Sequence, residues 1–210
     1  PYYQYLYDVP VGINNNFSMI NAEAVYLLNE PLKPGGTGQN IGIDFTLERA
    51  LKGKYYYLMT ASLFDSRYTS ASGEEFNTRF NKHYVVNLLG GYEWKVGRGK
   101  NNLLNLNLRL CFMGGDRTET VDYAASMATQ QVIFDDSKIF ETKKTDAQIV
   151  SIALNYRINK RKYASVWSIQ MINVLGEKDY EGYEWDEHSG TVRMKADPYI
   201  IPAISYKIEW

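Results

Sequence analysis

Asn102-Leu-Leu-Asn-Leu-Asn-Leu-Arg-Leu-Cys-Phe112 sets Leu104, Leu106, Leu108, Leu110 and Phe112 at every second position, with Asn105, Asn107 and Arg109 between them. Successive side chains of a β-strand point to opposite faces, so a strict period of two reads as a strand with one apolar and one aqueous face. The same period recurs on both sides of this stretch. Ile41, Ile43, Phe45 and Leu47 alternate with Gly42, Asp44, Thr46 and Glu48, and Val150, Ile152, Leu154, Tyr156 and Ile158 alternate with Ser151, Ala153, Asn155 and Arg157. Ile204, Tyr206, Ile208 and Trp210 close the chain on the same rhythm.

Period and turn residues together predict seven strands at about residues 39–51, 54–68, 83–97, 102–114, 145–159, 164–176 and 197–210, with an eighth near Ala22 to Leu28. The connections alternate in length. Those at Lys52–Gly53, Arg98–Asn101 and Lys160–Tyr163 are short; those at Thr69–Lys82, Gly115–Lys144 and Glu177–Ala196 are long. Short turns at one edge and long loops at the other are the asymmetry of an outer-membrane barrel, whereas a soluble sandwich has no reason to sort them. Strands of this length exceed the 9 to 11 or so residues needed to cross the hydrocarbon layer at a tilt. The expected fold is therefore all-β: antiparallel transmembrane β-barrel strands, about seven or eight of them.

Composition narrows the function. With 23 Lys plus Arg against 24 Asp plus Glu, the chain lacks the basic excess of a nucleic-acid binder, and no basic-aromatic module is visible. No apolar run reaches the ~18 residues of a membrane-spanning helix. The negative mean hydropathy does not argue against strands that give only half their residues to lipid. The single cysteine, Cys111, excludes an internal disulfide and a Cys-based zinc site. The opening at Pro1, without initiator Met or leader, reads as a mature fragment.

Tyr92, Trp94, Tyr156, Trp167, Tyr206 and Trp210 fall near the short-turn edge, as the aromatic girdle of a barrel does at the headgroup level. Charge divides by edge as well. Arg49, Lys52, Lys54, Lys95, Arg98, Lys100, Arg157, Lys160, Arg161 and Lys162 occupy three stretches that contain no acid, a pattern suited to lipid phosphates or simply to water. The long loops are acidic, through Asp135, Asp136, Glu177, Asp179, Glu181, Glu184, Asp186 and Glu187 among others. Divalent cations are one reading of those loops and solvated charge is the other; no spaced calcium loop is present.

Signals for chemistry are weak. His83 and His188 have no spaced partner, so neither a metal site nor a cofactor is indicated. Ser66 and Ser70 precede His83, but no Gly-x-Ser-x-Gly elbow accompanies them, and an enzyme is not expected. The Gly90-Gly91 and Gly114-Gly115 pairs open no helix and read as close packing or strand bending. What remains is the aqueous face. Asn105, Asn107, Arg109, Asn155 and Arg157 line it and are the candidate residues of a substrate path, or of packing against something inside the barrel.

Several stretches resemble the C-terminal barrel of a TonB-dependent outer-membrane receptor of the type with an N-terminal carboxypeptidase-like regulatory domain. They are Gly42 to Glu48, Tyr57 to Tyr68, Asn77 to Asn81, Gly114 to Arg117 with Val121-Asp122, Tyr156 to Asn159, and Ile204 to Trp210. The resemblance implies that residues 1–210 form the last third of a twenty-two-stranded barrel, with plug and N-terminal domains lying elsewhere. It implies nutrient import driven through TonB, with the plug, outer-membrane lipid and in some branches a surface lipoprotein as partners. Tyr206, Ile208 and Trp210 then belong to the terminal signal read by the barrel-assembly machinery, with Trp210 where the family usually has Phe. A passive porin or structural outer-membrane protein, and a secreted glycan-binding β-sandwich, are the competing expectations.

Overall fold

The computed structural model describes residues 1–22 and 31–210. Its strands are β1 (Tyr2–Gly12), β2 (Leu32–Lys52), β3 (Tyr55–Thr69), β4 (Glu75–Asn77), β5 (Tyr84–Val96), β6 (Asn102–Met113), β7 (Arg117–Thr118), β8 (Thr142–Lys143), β9 (Ala147–Asn159), β10 (Ala164–Ile172), β11 (Lys178–Asp186), β12 (Thr191–Pro198) and β13 (Ile201–Glu209). One short helix, α1 (Tyr123–Thr129), lies between β7 and β8. Among the described residues, β1-β2-β3-β5-β6-β9-β10-β13 form one sheet, with β4 added beside β3. Every pairing is antiparallel. The sheet is open, since β1 and β13 each pair on one side only.

Register brings the apolar positions together across strands. Leu106 stands opposite Leu154, Leu154 opposite Ile169 and Ile169 opposite Ile204, so one row crosses four strands. The next row runs Leu108, Ile152, Met171, Pro202. On the other side of the first row, Trp94, Leu104, Tyr156, Trp167 and Tyr206 align over five strands, and the Trp167 and Tyr206 rings sit 4.5 Å apart. Each row is uncovered. Leu108 is 43% exposed, Ile169 55% and Ile204 75%, and Ile43, Phe45 and Leu47 extend the same bare face onto β2.

Most of the fully buried side chains lie beyond the sheet, at the end where the long connections gather. Val11, Tyr68, Ser18, Thr78, Asn81, Ser126 and Asn173 are each almost wholly shielded. Only two of these seven are hydrocarbon or aromatic, so hydrogen bonds must organise this interior. Tyr68 donates through its hydroxyl to the Asn16 carbonyl at 2.9 Å, and Asn81 donates to Asp65 and Asn77 at 2.8 and 2.9 Å. Asn173 takes a left-handed φ of 57° that ends β10; its amide donates to the Glu177 and Tyr199 carbonyls, both at 2.8 Å. That clamp holds the two ends of the β11–β12 hairpin together.

Three expectations are corrected. The first strand of the sheet is Tyr2–Gly12, where adjacent tyrosines and Pro10 hide the alternation; irregular register after Leu6 and a φ of 52° at Asp8 show why the period fails. The segment 177–196, expected as a loop, holds most of the β11–β12 hairpin, whose register slip between Tyr180 and Gly182 breaks the period of two. Strand β10 stops at Ile172 rather than near residue 176, because of the turn at Asn173. The strand expected near Ala22 to Leu28 falls almost entirely outside the described residues.

Candidate functional site

The sheet's second face carries the polar residues, and pairing stitches them into ladders. Asn105, Asn107, Arg109, Asn155 and Arg157 all lie on this face, as their period requires. Tyr56 donates its hydroxyl to Asn107 Oδ1, and Asn107 Nδ2 donates to Asn105 Oδ1 at 2.6 Å. Asn155 Nδ2 reaches the same Asn105 oxygen at 3.4 Å and itself accepts from Ser168 Oγ at 2.6 Å. Four strands are thus linked by side chains alone. Arg157 pairs with Glu209 and donates through Nε to Asn159 at 2.9 Å.

Arg109 differs from its neighbours. It is exposed, and its one side-chain bond is a 3.5 Å contact to Asn87 Oδ1. A shallow depression of about 150 Å³ beside it is lined by Leu89, Asn107, Ser151 and Gln170 among others. Arg109 keeps most of its donors available to a polar or anionic group there, whereas Asn105, Asn107 and Asn155 are largely occupied with one another. Glycine makes this packing possible: a Cβ on Gly91 would stand 2.3 Å from Tyr56 Cε1 and 2.5 Å from Asn107 Oδ1. Close packing is therefore the role of Gly91, whereas a Cβ on Gly90 would meet only the Tyr56 carbonyl oxygen, at 3.6 Å.

A second concavity, of about 200 Å³, opens at the loop end between the β6–β9 and β10–β13 connections. Lys82, Asp116, Lys144, Glu177, Tyr180 and Tyr199 contribute to its wall. Two of its cations are already held. Lys82 Nζ lies 2.7 Å from Asp116 Oδ1, and Lys144 Nζ donates to the Tyr180 carbonyl at 2.9 Å. Gly114 and Gly115 form its floor, where an added Cβ would fall 1.8 Å from the Lys82 carbonyl oxygen and 1.9 Å from that of Lys144.

Asp146 ties this end together. The Lys143 ammonium, the Tyr84 hydroxyl and the Gly115 amide, at 2.6, 2.8 and 3.1 Å, hold its carboxyl down at about 2. A depressed carboxyl stabilises the fold above its unfolded value near 4 and loses that contribution as pH falls toward about 2. The protection of the Gly115 amide, its exchange rate referred to the intrinsic rate at each pH, should therefore fall across that interval, and Asp146→Asn should remove this pH dependence. Protection that stays constant in the unsubstituted protein would show that the tie carries no weight.

The remaining candidates from the sequence separate in space. Ser66 donates to Asn40 and accepts from Thr78, Ser70 bonds Ser72, and neither meets His83. His83 Nε2 faces Arg117 at 2.7 Å; an arginine only donates, so Nε2 accepts and the ring proton sits on Nδ1. Two acids of the β11–β12 hairpin are engaged by cations, Glu184 with Arg193 and Glu181 with Lys195, while Asp186 caps its own turn through Ser189 and His188. Among the described residues no three His, Cys, Asp or Glu gather as a metal site, so the divalent-cation reading of the acidic loops finds no support in the geometry. Tyr206 and Ile208 stand on the apolar face of the edge strand β13, and Trp210, beyond it, is 95% exposed.

Comparison with protein-family models, with curated proteins and with solved structures finds no match for this chain.

Proposed function

We propose that this chain is the C-terminal wall of a TonB-dependent outer-membrane receptor, its apolar face against lipid and its polar face lining a plugged lumen. One observation carries the reading: an apolar face, continuous through the registered rows, is bare while its opposite face is cross-linked by amides and hydroxyls. In water, each large apolar side chain left exposed forgoes roughly 1.5 to 3 kcal/mol of burial. Lipid removes that cost, and a water-filled lumen accounts for the amide ladder behind it. The two free sheet edges then belong to further strands of the same barrel, because unpaired backbone in hydrocarbon costs several kcal/mol per group. In this role the long connections face outward to meet a nutrient, Arg109 lies on its route, and β13 with Trp210 presents the assembly signal.

Spin labels placed singly at positions 105 to 108 of the protein in lipid vesicles test this directly. Labels at 106 and 108 should collide with oxygen dissolved in the bilayer, and labels at 105 and 107 with a water-soluble paramagnet. Protection of 106 and 108 from both agents would mean a second protein layer covers them, and the β-sandwich would replace the receptor.

A further inference from the structure

The cations of the protein are treated differently at its two ends. At the loop end, Arg67, Lys82, Lys138, Lys143, Arg193 and Lys195 each meet a carboxylate within ion-pair reach. At the turn end the cations stand in three tight connections: Lys52 and Lys54 between β2 and β3, Arg98 and Lys100 between β5 and β6, and Lys160, Arg161 and Lys162 between β9 and β10. All seven are exposed, and among the described residues none has an ion pair or a side-chain hydrogen bond. The turns contain no acid of their own. Of the carboxylates at this end, Glu209 is held by Arg157 and Lys207, while Glu93, whose backbone N–H bonds the Lys54 carbonyl at 2.7 Å, and Glu48 stand on the polar face of the sheet, away from the apolar rows.

Three further features fix what such a rim faces. The turns recur at every second strand, so the charges are spaced by roughly 10 Å along the edge. The aromatic row of Trp94, Tyr156, Trp167 and Tyr206 lies immediately inside them, with the bare aliphatic rows beyond it. Arg49, on the apolar side of β2, lays its guanidinium 4.2 Å from the centre of the Tyr55 ring, which holds a cation at the level of the aromatics. Passing from edge to centre, the surface presents positive charge, amphipathic rings and then hydrocarbon. An anionic phospholipid presents phosphate, glycerol ester and then acyl chain in the same order.

We propose that the turn-end rim is a binding site for anionic phospholipid, with headgroup phosphates on the cations of the three turns and acyl chains on the apolar rows. This rests on the lipid-facing reading of the apolar face and adds to it a leaflet preference: the monolayer at the turn end is selected for negative charge. Free cations at an anionic surface are each attracted to it and are screened by salt over a Debye length, whereas the six loop-end cations named above each face a carboxylate that offsets their charge, among connections that are themselves acidic.

Electron paramagnetic resonance of spin-labelled lipids around the protein in phosphatidylcholine vesicles separates the two claims. A motionally restricted population of labelled phosphatidylcholine reports acyl chains against the apolar face, and its absence refutes the underlying reading. Labelled phosphatidylglycerol reports the rim: it should be retained about fivefold over phosphatidylcholine at low salt, falling toward equality at about 1 M salt. The combined variant Lys52→Gln, Lys54→Gln, Arg98→Gln, Lys100→Gln, Lys160→Gln, Arg161→Gln and Lys162→Gln should keep the restricted phosphatidylcholine population and lose the preference. Substituting the loop-end Arg193→Gln and Lys195→Gln should leave the preference intact. Equal retention of the two lipids by the unsubstituted protein, as expected if the rim serves an acidic soluble protein, overturns the inference, as does a preference that survives removal of the turn cations.

Discussion

Leu108→Arg should lower the unfolding free energy of the lipid-embedded protein by about 2 to 4 kcal/mol, while Gln170→Arg should change it by less than about 1 kcal/mol. The two sites lie on the same sheet and are both exposed, but on opposite faces: Leu108 stands across from Ile152 in an apolar row, and Gln170 across from Ala153 behind it. A charge at position 108 would sit among side chains with no polar partner, midway along an apolar row that runs from Leu104 to Phe112. At position 170 it would join Arg109 beside the same depression. Denaturant unfolding from vesicles measures both. Equal costs would mean that both faces see the same medium, and the membrane assignment would fail.

Tyr68→Ala should cost more, about 3 to 5 kcal/mol, and should do so with or without lipid. Tyr68 is 1% exposed, its ring lies 5.6 Å from Phe76, and its hydroxyl holds the Asn16 carbonyl. Removing the ring empties the most deeply buried aromatic site among the described residues, in an interior built mainly of amides and hydroxyls. Tyr68→Phe keeps the ring and gives up one hydrogen bond, so the expected loss is about 1 kcal/mol. Equilibrium unfolding gives the magnitudes, and protease cleavage between residues 13 and 22 shows where the structure opens. Equal stability of the alanine and phenylalanine variants would mean that the hydroxyl, and not the packed ring, holds this end.

The strands that sequence revealed are those where one face is predominantly apolar. The stretch from Leu104 to Phe112 declares itself because Leu104, Leu106 and Leu110 each meet an apolar or aromatic residue on both neighbouring strands, and Leu108 and Phe112 on one, so the pattern is forced by two pairings at once. Strand β1 escaped because Tyr2 and Tyr3 put aromatics on both faces and its register slips twice. Strands β11 and β12 escaped for another reason: the slip between Tyr180 and Gly182 breaks the alternation of β11, and the charges paired across the hairpin, Arg193 with Glu184 and Lys195 with Glu181, read in sequence as a solvated loop. The candidate polar residues were legible as a face but not as a network. Nothing in the spacing of Asn105, Asn107 and Asn155 says that they satisfy one another, or that Arg109 alone is left with donors to spare. The loop-end interior was invisible, since buried asparagines, serines and threonines look in sequence like solvent-facing turns.

Each member of the main sheet lies beside the member that precedes it in the chain, apart from the short excursions carried by the long connections. Such a wall can be laid down one hairpin at a time, and no segment has to wait for a distant mate before it is held on one side. Loop-closure entropy is then spread over many small steps instead of being met in one, which favours sequential zippering from either terminus. The growing front always offers one unsatisfied row of amides and carbonyls and the starting edge a second, so whatever chaperones the sheet to completion has one fixed and one travelling seam to shield.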